Sequence, residues 1–262
     1  MSSYPFGSAL ITGASSGIGE AMAHQLGQAG VSMVIVARRR DRLDDIARRY
    51  RQVEVIDADL TTGRGLALVE ARLTVPDRPI DLLVNNAGFG TTGDFHTQDP
   101  DRMADEIALN IAALTRLSRT ALGVMVPRGY GYLLNVSSVA SFQSAPQLAV
   151  YAATKAYVTS LTESLHDEVR SSGVKVTALC PGLTRTEFQS VSGGGRSTKY
   201  PAFAWTSADL VARTGLRDVA KGRVISVPGT LYRGLVAVSG VVPRSLSRRL
   251  VGFVQRDDPP QA

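Results

Sequence analysis

The segment that most restricts the fold is Ser8-Ala-Leu-Ile-Thr followed by Gly13-Ala-Ser-Ser-Gly17-Ile-Gly19, which runs into a helix-patterned stretch from Glu20 to Ala29. An apolar run, a glycine-rich turn and a helix in direct succession describe a buried strand that reverses sharply. Gly13 permits the tight turn, Gly17 lets backbone approach a pyrophosphate, and Gly19 allows helix and strand to pack closely. The first N–H groups of the helix have no intrahelical acceptor and carry its positive end, so the turn offers an anion site. The spacing is Gly-x-x-x-Gly-x-Gly rather than the commoner Gly-x-Gly-x-x-Gly. Its place directly after an N-terminal strand favours a dinucleotide over an ordinary connector.

Short β-branched runs recur at 33–37, 53–56, 82–85, 132–136, 175–179 and 223–227, separated by longer amphipathic stretches such as Asp41 to Tyr50. Nearly continuous apolar runs belong to strands buried on both faces, which requires helices on both sides of a parallel sheet and right-handed crossovers. The expected fold class is α/β, a doubly wound, Rossmann-like parallel sheet of about seven strands. With no internal repeat and no long linker, residues 1–262 are expected to form a single domain. Two segments stand apart. Ser192-Gly-Gly-Gly-Arg-Ser-Thr198 makes 188–206 an expected mobile substrate loop, placed where ligands reach the carboxyl ends of such strands. Residues 229–262 read as a basic amphipathic extension, in which Pro243 opens a helix with Leu246, Leu250, Phe253 and Val254 on one side and Arg244, Arg248 and Arg249 on others. Such a helix suits packing within the protein or its oligomer, cover of the substrate pocket, or peripheral contact with an anionic membrane surface.

Composition narrows the alternatives. An apolar share of 44% suits a globular core, and no apolar stretch approaches the ~20 residues of a bilayer span. Met1-Ser-Ser-Tyr-Pro-Phe-Gly7 has neither a basic nor a long apolar part, so no secretory signal is expected and the expected location is cytoplasmic. The net charge of +6 could suit nucleic acid, but the excess collects between Arg213 and Arg256, where Asp218 is the only acid; no nucleic-acid partner is expected. Cys180 is the only cysteine, which excludes an internal disulfide, and it reads as a small apolar residue of a buried strand. His24, His96 and His166 have no ligand spacing, so no metal is expected.

The pair that carries chemistry is Tyr151 and Lys155, in Tyr151-Ala-Ala-Thr-Lys155. Residues i and i+4 share a helix face, which sets the ammonium beside the phenol. A free phenol titrates near about 10; a neighbouring cation is expected to lower that value toward the working range, where the group gives a proton to a developing alkoxide and recovers it.

Taken together, these residues resemble the short-chain dehydrogenase/reductase family in its compact single-domain branch, over roughly positions 6 to 230. The run Thr12 to Gly19 resembles the family's cofactor loop, which implies contacts from Gly13, Ser15, Ser16, Gly17, Ile18 and Gly19. Asp59-Leu60, ending the third strand, resembles the adenine contact, Asn86-Ala87-Gly88 closes the fourth strand, and Pro181-Gly182, with Thr184 and Thr186 beyond, follows the strand that ends at Cys180. Asn110, Ser138, Tyr151 and Lys155 match the family's Asn-Ser-Tyr-Lys set. The resemblance implies reduction of a small-molecule carbonyl by hydride from nicotinamide, with Tyr151 as general acid and Lys155 also binding the nicotinamide ribose. It gives Ser138 the task of orienting the carbonyl, and Asn110 that of holding a helix irregularity and a water that joins Lys155 to solvent. It further implies a homodimer or homotetramer. The stretch from Leu133 to Phe188 looks most like bacterial 3-oxoacyl and long-chain ketone reductases.

The cofactor is expected to be NADP rather than NAD. Val36-Ala37-Arg38-Arg39-Arg40 has no acid at the strand end to hold a free ribose hydroxyl, whereas Arg38 or Arg39 can pair with a 2′-phosphate. Phe89, Phe142, Leu183, Phe188 and Trp205 fall beside the motifs and favour an apolar, lipid-like carbonyl. Two other readings stay open on these residues: NAD(P)-linked alcohol oxidation with Tyr151 as base, and a nucleotide-binding regulator that turns nothing over.

Overall fold

The computed structural model describes residues 4–192 and 201–239. Its first six strands are β1 (Ser8–Thr12), β2 (Ser32–Ala37), β3 (Val53–Asp57), β4 (Leu82–Asn85), β5 (Gly131–Val136) and β6 (Val174–Leu179). Two-residue strands β7 (Thr184–Arg185) and β8 (Thr206–Ser207) pair with each other, and β9 (Ile225–Ser226) completes the main sheet. That sheet has seven strands in the order β3-β2-β1-β4-β5-β6-β9, every pair parallel. The order reverses between β1 and β4, and ligands of such sheets bind outside the carboxyl ends of the strands at that point.

The helices are α1 (Gly17–Gln28), α2 (Arg40–Arg49), α3 (Gly63–Leu73), α4 (Pro100–Ile107), α5 (Leu114–Arg128), α6 (Ala149–Glu168), α7 (Phe188–Val191), α8 (Ala208–Ala220) and α9 (Thr230–Ser239). Strand side chains alternate between two core layers, as a period of two demands. Ala9 and Ile11, Met33 and Ile35, and Leu82 and Val84 point to the layer formed with α1, α2 and α8. Leu10, Val34 and Leu83 point to the opposite layer, formed with α3 and α5. Both faces are therefore covered, which is why these strands read as unbroken apolar runs.

Local chemistry places the helix starts. Asp99 caps α4 by accepting from the Asp101 N–H with Pro100 in the first turn, and Ser207 caps α8 by accepting from Leu210 N–H. Expectation and structure part at the sheet's edge. The run expected at 223–227 has ladder register with β6 only at Ile225 and Ser226, with Ala178 N–H also donating to Val224 O at 2.8 Å. Asp59, expected to end the third strand, lies in the turn after β3, where its carboxylate accepts from the Thr61 N–H at 2.9 Å and hydroxyl at 2.8 Å. Among the described residues no helix is long and apolar enough to cross a membrane. The helix expected from Pro243 and residues 193–200 of the expected loop lie outside the described residues.

Candidate active site

The turn after β1 is clamped by the end of β4. Thr12, 1% exposed, accepts at Oγ1 from the N–H groups of Asn86 and Ala87, both at 3.0 Å, and donates to Val84 O at 3.3 Å. Asn86 Nδ2 donates in return to Thr12 O at 2.9 Å and Gly13 O at 3.2 Å. Gly13 and Gly17 take φ of +67° and +62°, conformations that side chains disfavour. Gly19 serves a different end from the helix-on-strand contact expected. A Cβ there would lie 2.4 Å from both Gly13 O and Asn86 Nδ2, so this position admits the clamp itself.

A cleft of about 870 Å³ opens over this turn. Every candidate cofactor and site residue lines it except Gly19, which packs beneath the turn, and Asn110, which lies behind Gly88. The apolar wall holds Phe89, Leu183, Phe188 and Trp205. Phe142 does not join them; it packs instead on the cluster of Cys180, Val227 and Tyr232. The Cys180 thiol is buried and pushed up to about 12 by desolvation, so it stays protonated and inert, as a packing residue should.

The arginines at the strand end divide. Arg39 donates to Ser15 Oγ at 3.2 Å and to Glu187 Oε2 at 2.9 Å, joining the glycine turn to the segment after β7. Arg38 is mostly exposed and sits 3.8 Å from Asp59. The hydrogen bond from Arg39, against weak desolvation and with help from the charges of Arg39 and Arg42, holds the Glu187 carboxyl below the usual carboxylate range.

Lys155 is 5% exposed and its Nζ donates to Val136 O at 2.8 Å, lying 5.7 Å from the centre of the Tyr151 ring. Tyr151 and Ser138 line the cleft together, close enough for the Ser138 hydroxyl to act on the phenol. The direction expected for the phenol is reversed. Desolvation pushes Tyr151 up to about 12, more than the nearby Ser138 hydroxyl offsets, and pulls Lys155 down to about 8. Pairing on a helix face supplies a cation, but burial disfavours the charged form of both groups and wins here. Asn110, 1% exposed, sits in a widened helical turn, Ala108–Ala113, between α4 and α5. Its Nδ2 donates to Phe89 O at 2.8 Å and Thr154 Oγ1 at 3.1 Å, and its Oδ1 accepts from Phe89 N–H at 3.2 Å. A Cβ on Gly88 would lie 2.7 Å from that Oδ1 and 3.5 Å from Lys155 Nζ, so Gly88 opens the space between the amide and the ammonium.

Several residues that hold this site gave no sequence signal. Ser137, next to Ser138, donates to Lys155 O at 2.8 Å and pairs with Thr159 at 2.7 Å, fixing α6 against β5. Tyr232 of α9 stacks over Gly182, where a Cβ would fall 2.1 Å from the ring. Its hydroxyl accepts from Leu183 N–H at 3.0 Å and donates to Ala204 O at 2.8 Å. Glu106 is buried beside Thr91 within reach of the Lys155 charge.

A glycine turn at the switch point of a doubly wound sheet, opening on a cleft that holds a tyrosine beside a buried lysine, defines an NAD(P)-dependent oxidoreductase. The chain belongs to the short-chain dehydrogenase family, whose model matches residues 8–194. It is 34% identical over 210 residues to an uncharacterised oxidoreductase of Staphylococcus epidermidis, covering 79% of this chain and 90% of that one. Among solved structures it resembles a short-chain dehydrogenase from Sphingobium yanoikuyae in complex with NADPH, with 34% identity, TM-score 0.81, and coverage of 97% of this chain and 98% of that one. It also resembles the bulky-bulky ketone specific alcohol dehydrogenase from Comamonas testosteroni, with 30% identity, TM-score 0.77, and coverage of 97% and 96%.

Proposed function

We propose that this enzyme uses NADPH to reduce a bulky, apolar ketone or aldehyde to the alcohol. The observation that carries the reading is that Tyr151, with Lys155 beside its ring, and Ser138 line the same cleft as the glycine turn. The residues present fit a dinucleotide. Ser15, Ser16, Gly17 and Ile18 present the turn and the start of α1 to a diphosphate, Asp59 and Leu60 flank an adenine side, and Ala87, Gly88, Lys155, Pro181, Gly182, Thr184 and Thr186 remain for the nicotinamide end. When bound, the cofactor supplies hydride, while the protein supplies position and a proton.

Tyr151 gives its hydroxyl proton to the carbonyl oxygen as the alcohol forms, and Ser138 holds that oxygen by hydrogen bonding. A phenol pushed up to about 12 is protonated throughout the neutral range and so is ready to act as an acid. The Lys155 ammonium steadies the phenolate left behind, and because burial has drawn it to about 8, its deprotonation sets the alkaline limit of turnover. Asn110, locked between Phe89 and Thr154, keeps the widened turn open next to Lys155.

NADP over NAD rests on Arg38 and Arg39, with Arg39 already oriented by Ser15, and is supported by the NADPH-bound relative. The apolar substrate rests on Phe89, Leu183, Phe188 and Trp205, with residues 188–206 as the substrate loop, and is supported by the resemblance to the bulky-ketone alcohol dehydrogenase. A screen of aryl, steroid and long acyl ketones for NADPH consumption, with the alcohol identified, tests the reading. Turnover of such ketones with NADPH ahead of NADH is expected. Activity confined to NAD-linked alcohol oxidation would reverse both direction and cofactor.

A further inference from the structure

Glu106 lies on α4 one turn before Asn110, is 0% exposed, and has no hydrogen bond to either carboxylate oxygen. Asp218, the other buried acid among the described residues, accepts from Ser226 at 2.8 Å and has Arg217 and Arg223 within 3.7 Å. That contrast is informative, because a carboxyl group taken out of water needs either a proton or a counter-charge. Thr91 turns its hydroxyl and N–H toward Glu106 without reaching hydrogen-bond geometry, and its Oγ1 is itself buried and unbonded. The cations facing Glu106 are Lys155 from α6 and Arg102 from its own helix, and the Arg102 guanidinium lies over the Phe89 ring at 5.1 Å. Tyr151 lies in the same field, and Cys180, just past β6, is the other titratable group that acts on Lys155.

We propose that Glu106 is a positioning residue for the reaction that acts through Lys155, as the buried counter-charge that keeps an ammonium in a site otherwise too dry to hold one. This rests on the roles proposed above for Tyr151 and Lys155. The electrostatics agree with the geometry. Burial draws Lys155 down to about 8 and Glu106 up, and the Glu106 carboxylate opposes the fall at Lys155.

The chain has four lysines, at 155, 175, 199 and 221, so a protein carrying isotope-labelled lysine yields a simple carbon NMR titration in which Lys155→Met assigns the signal of interest. Measured without cofactor or substrate, Glu106→Gln should lower the Lys155 midpoint by about one pH unit or more. Glu106→Asp should restore part of the difference, and in turnover the alkaline limb of kcat/KM should move to lower pH with the same order of variants. A Lys155 midpoint that stays in place in Glu106→Gln, whatever happens to thermal stability, overturns the proposal. Should the amide fail to fold, Glu106→Met, which fills similar space without charge, reads the same midpoint with the same two outcomes. Native turnover in Tyr151→Phe would remove the reaction on which this rests, and the lysine titration would still judge Glu106 alone.

Discussion

On one side of the cleft the glycine turn is held by Thr12, Asn86 and Gly13, groups that bond one another through main chain and short side chains at 2.9 to 3.3 Å. The other side is walled by half-buried Leu183, Phe188 and Trp205, with Phe203 78% exposed, and is tied down by the Tyr232 hydroxyl, the two-residue pairing of β7 with β8 and the Arg39–Glu187 ion pair. The first side tolerates almost no change of shape, since backbone meets backbone. The second rests on contacts that could be exchanged one at a time, so the pocket that selects the carbonyl is able to vary while the dinucleotide cradle stays the same.

Substitutions can break this contrast. Gly19→Ala sets a Cβ 2.4 Å from the Gly13 carbonyl, which cannot yield without moving the turn; overpacking of about 1–3 kcal/mol should weaken NADPH binding by about 10- to 100-fold in a fluorescence titration. Native affinity would show that the cradle is softer than its clearances imply. Arg39→Ala removes a charged donor worth about 1.5–3 kcal/mol, so the KM for NADPH should rise about tenfold or more while that for NADH barely moves. Equal changes for both cofactors would remove the 2′-phosphate assignment. Tyr232→Phe leaves the ring over Gly182 but strips the bond from Leu183 N–H, and a loss of about 1 kcal/mol should raise the ketone KM several-fold without touching NADPH affinity. A matching loss of NADPH affinity would mean that the two sides are coupled through Gly182.

The same contrast explains what could be read in advance. The turn, the strands and the Tyr151–Lys155 spacing are local patterns, set by glycine conformation and by periods of two and about 3.6 residues. Tyr232 reaches Leu183 across 49 positions and Arg39 reaches Glu187 across 148, distances over which one chain carries no pattern. Burial depth is also a property of the whole fold. A lysine four residues from a tyrosine predicts a lowered phenol, whereas desolvation raises Tyr151, whose ring meets Phe188, 37 positions on. Phe142 packs away from the cleft wall for a related reason: proximity to Ser138 in sequence says nothing of which way the short helix at Val139–Phe142 turns its aromatic ring.

Everything turns on whether the Tyr151 hydroxyl delivers the proton. Tyr151→Phe keeps the ring and its contact with Phe188 but removes that proton, and its turnover should be measured beside an NADPH titration of the same protein. The account predicts turnover lower by about 10²- to 10⁴-fold with cofactor affinity nearly unchanged. Turnover within a few-fold of the native enzyme would contradict it.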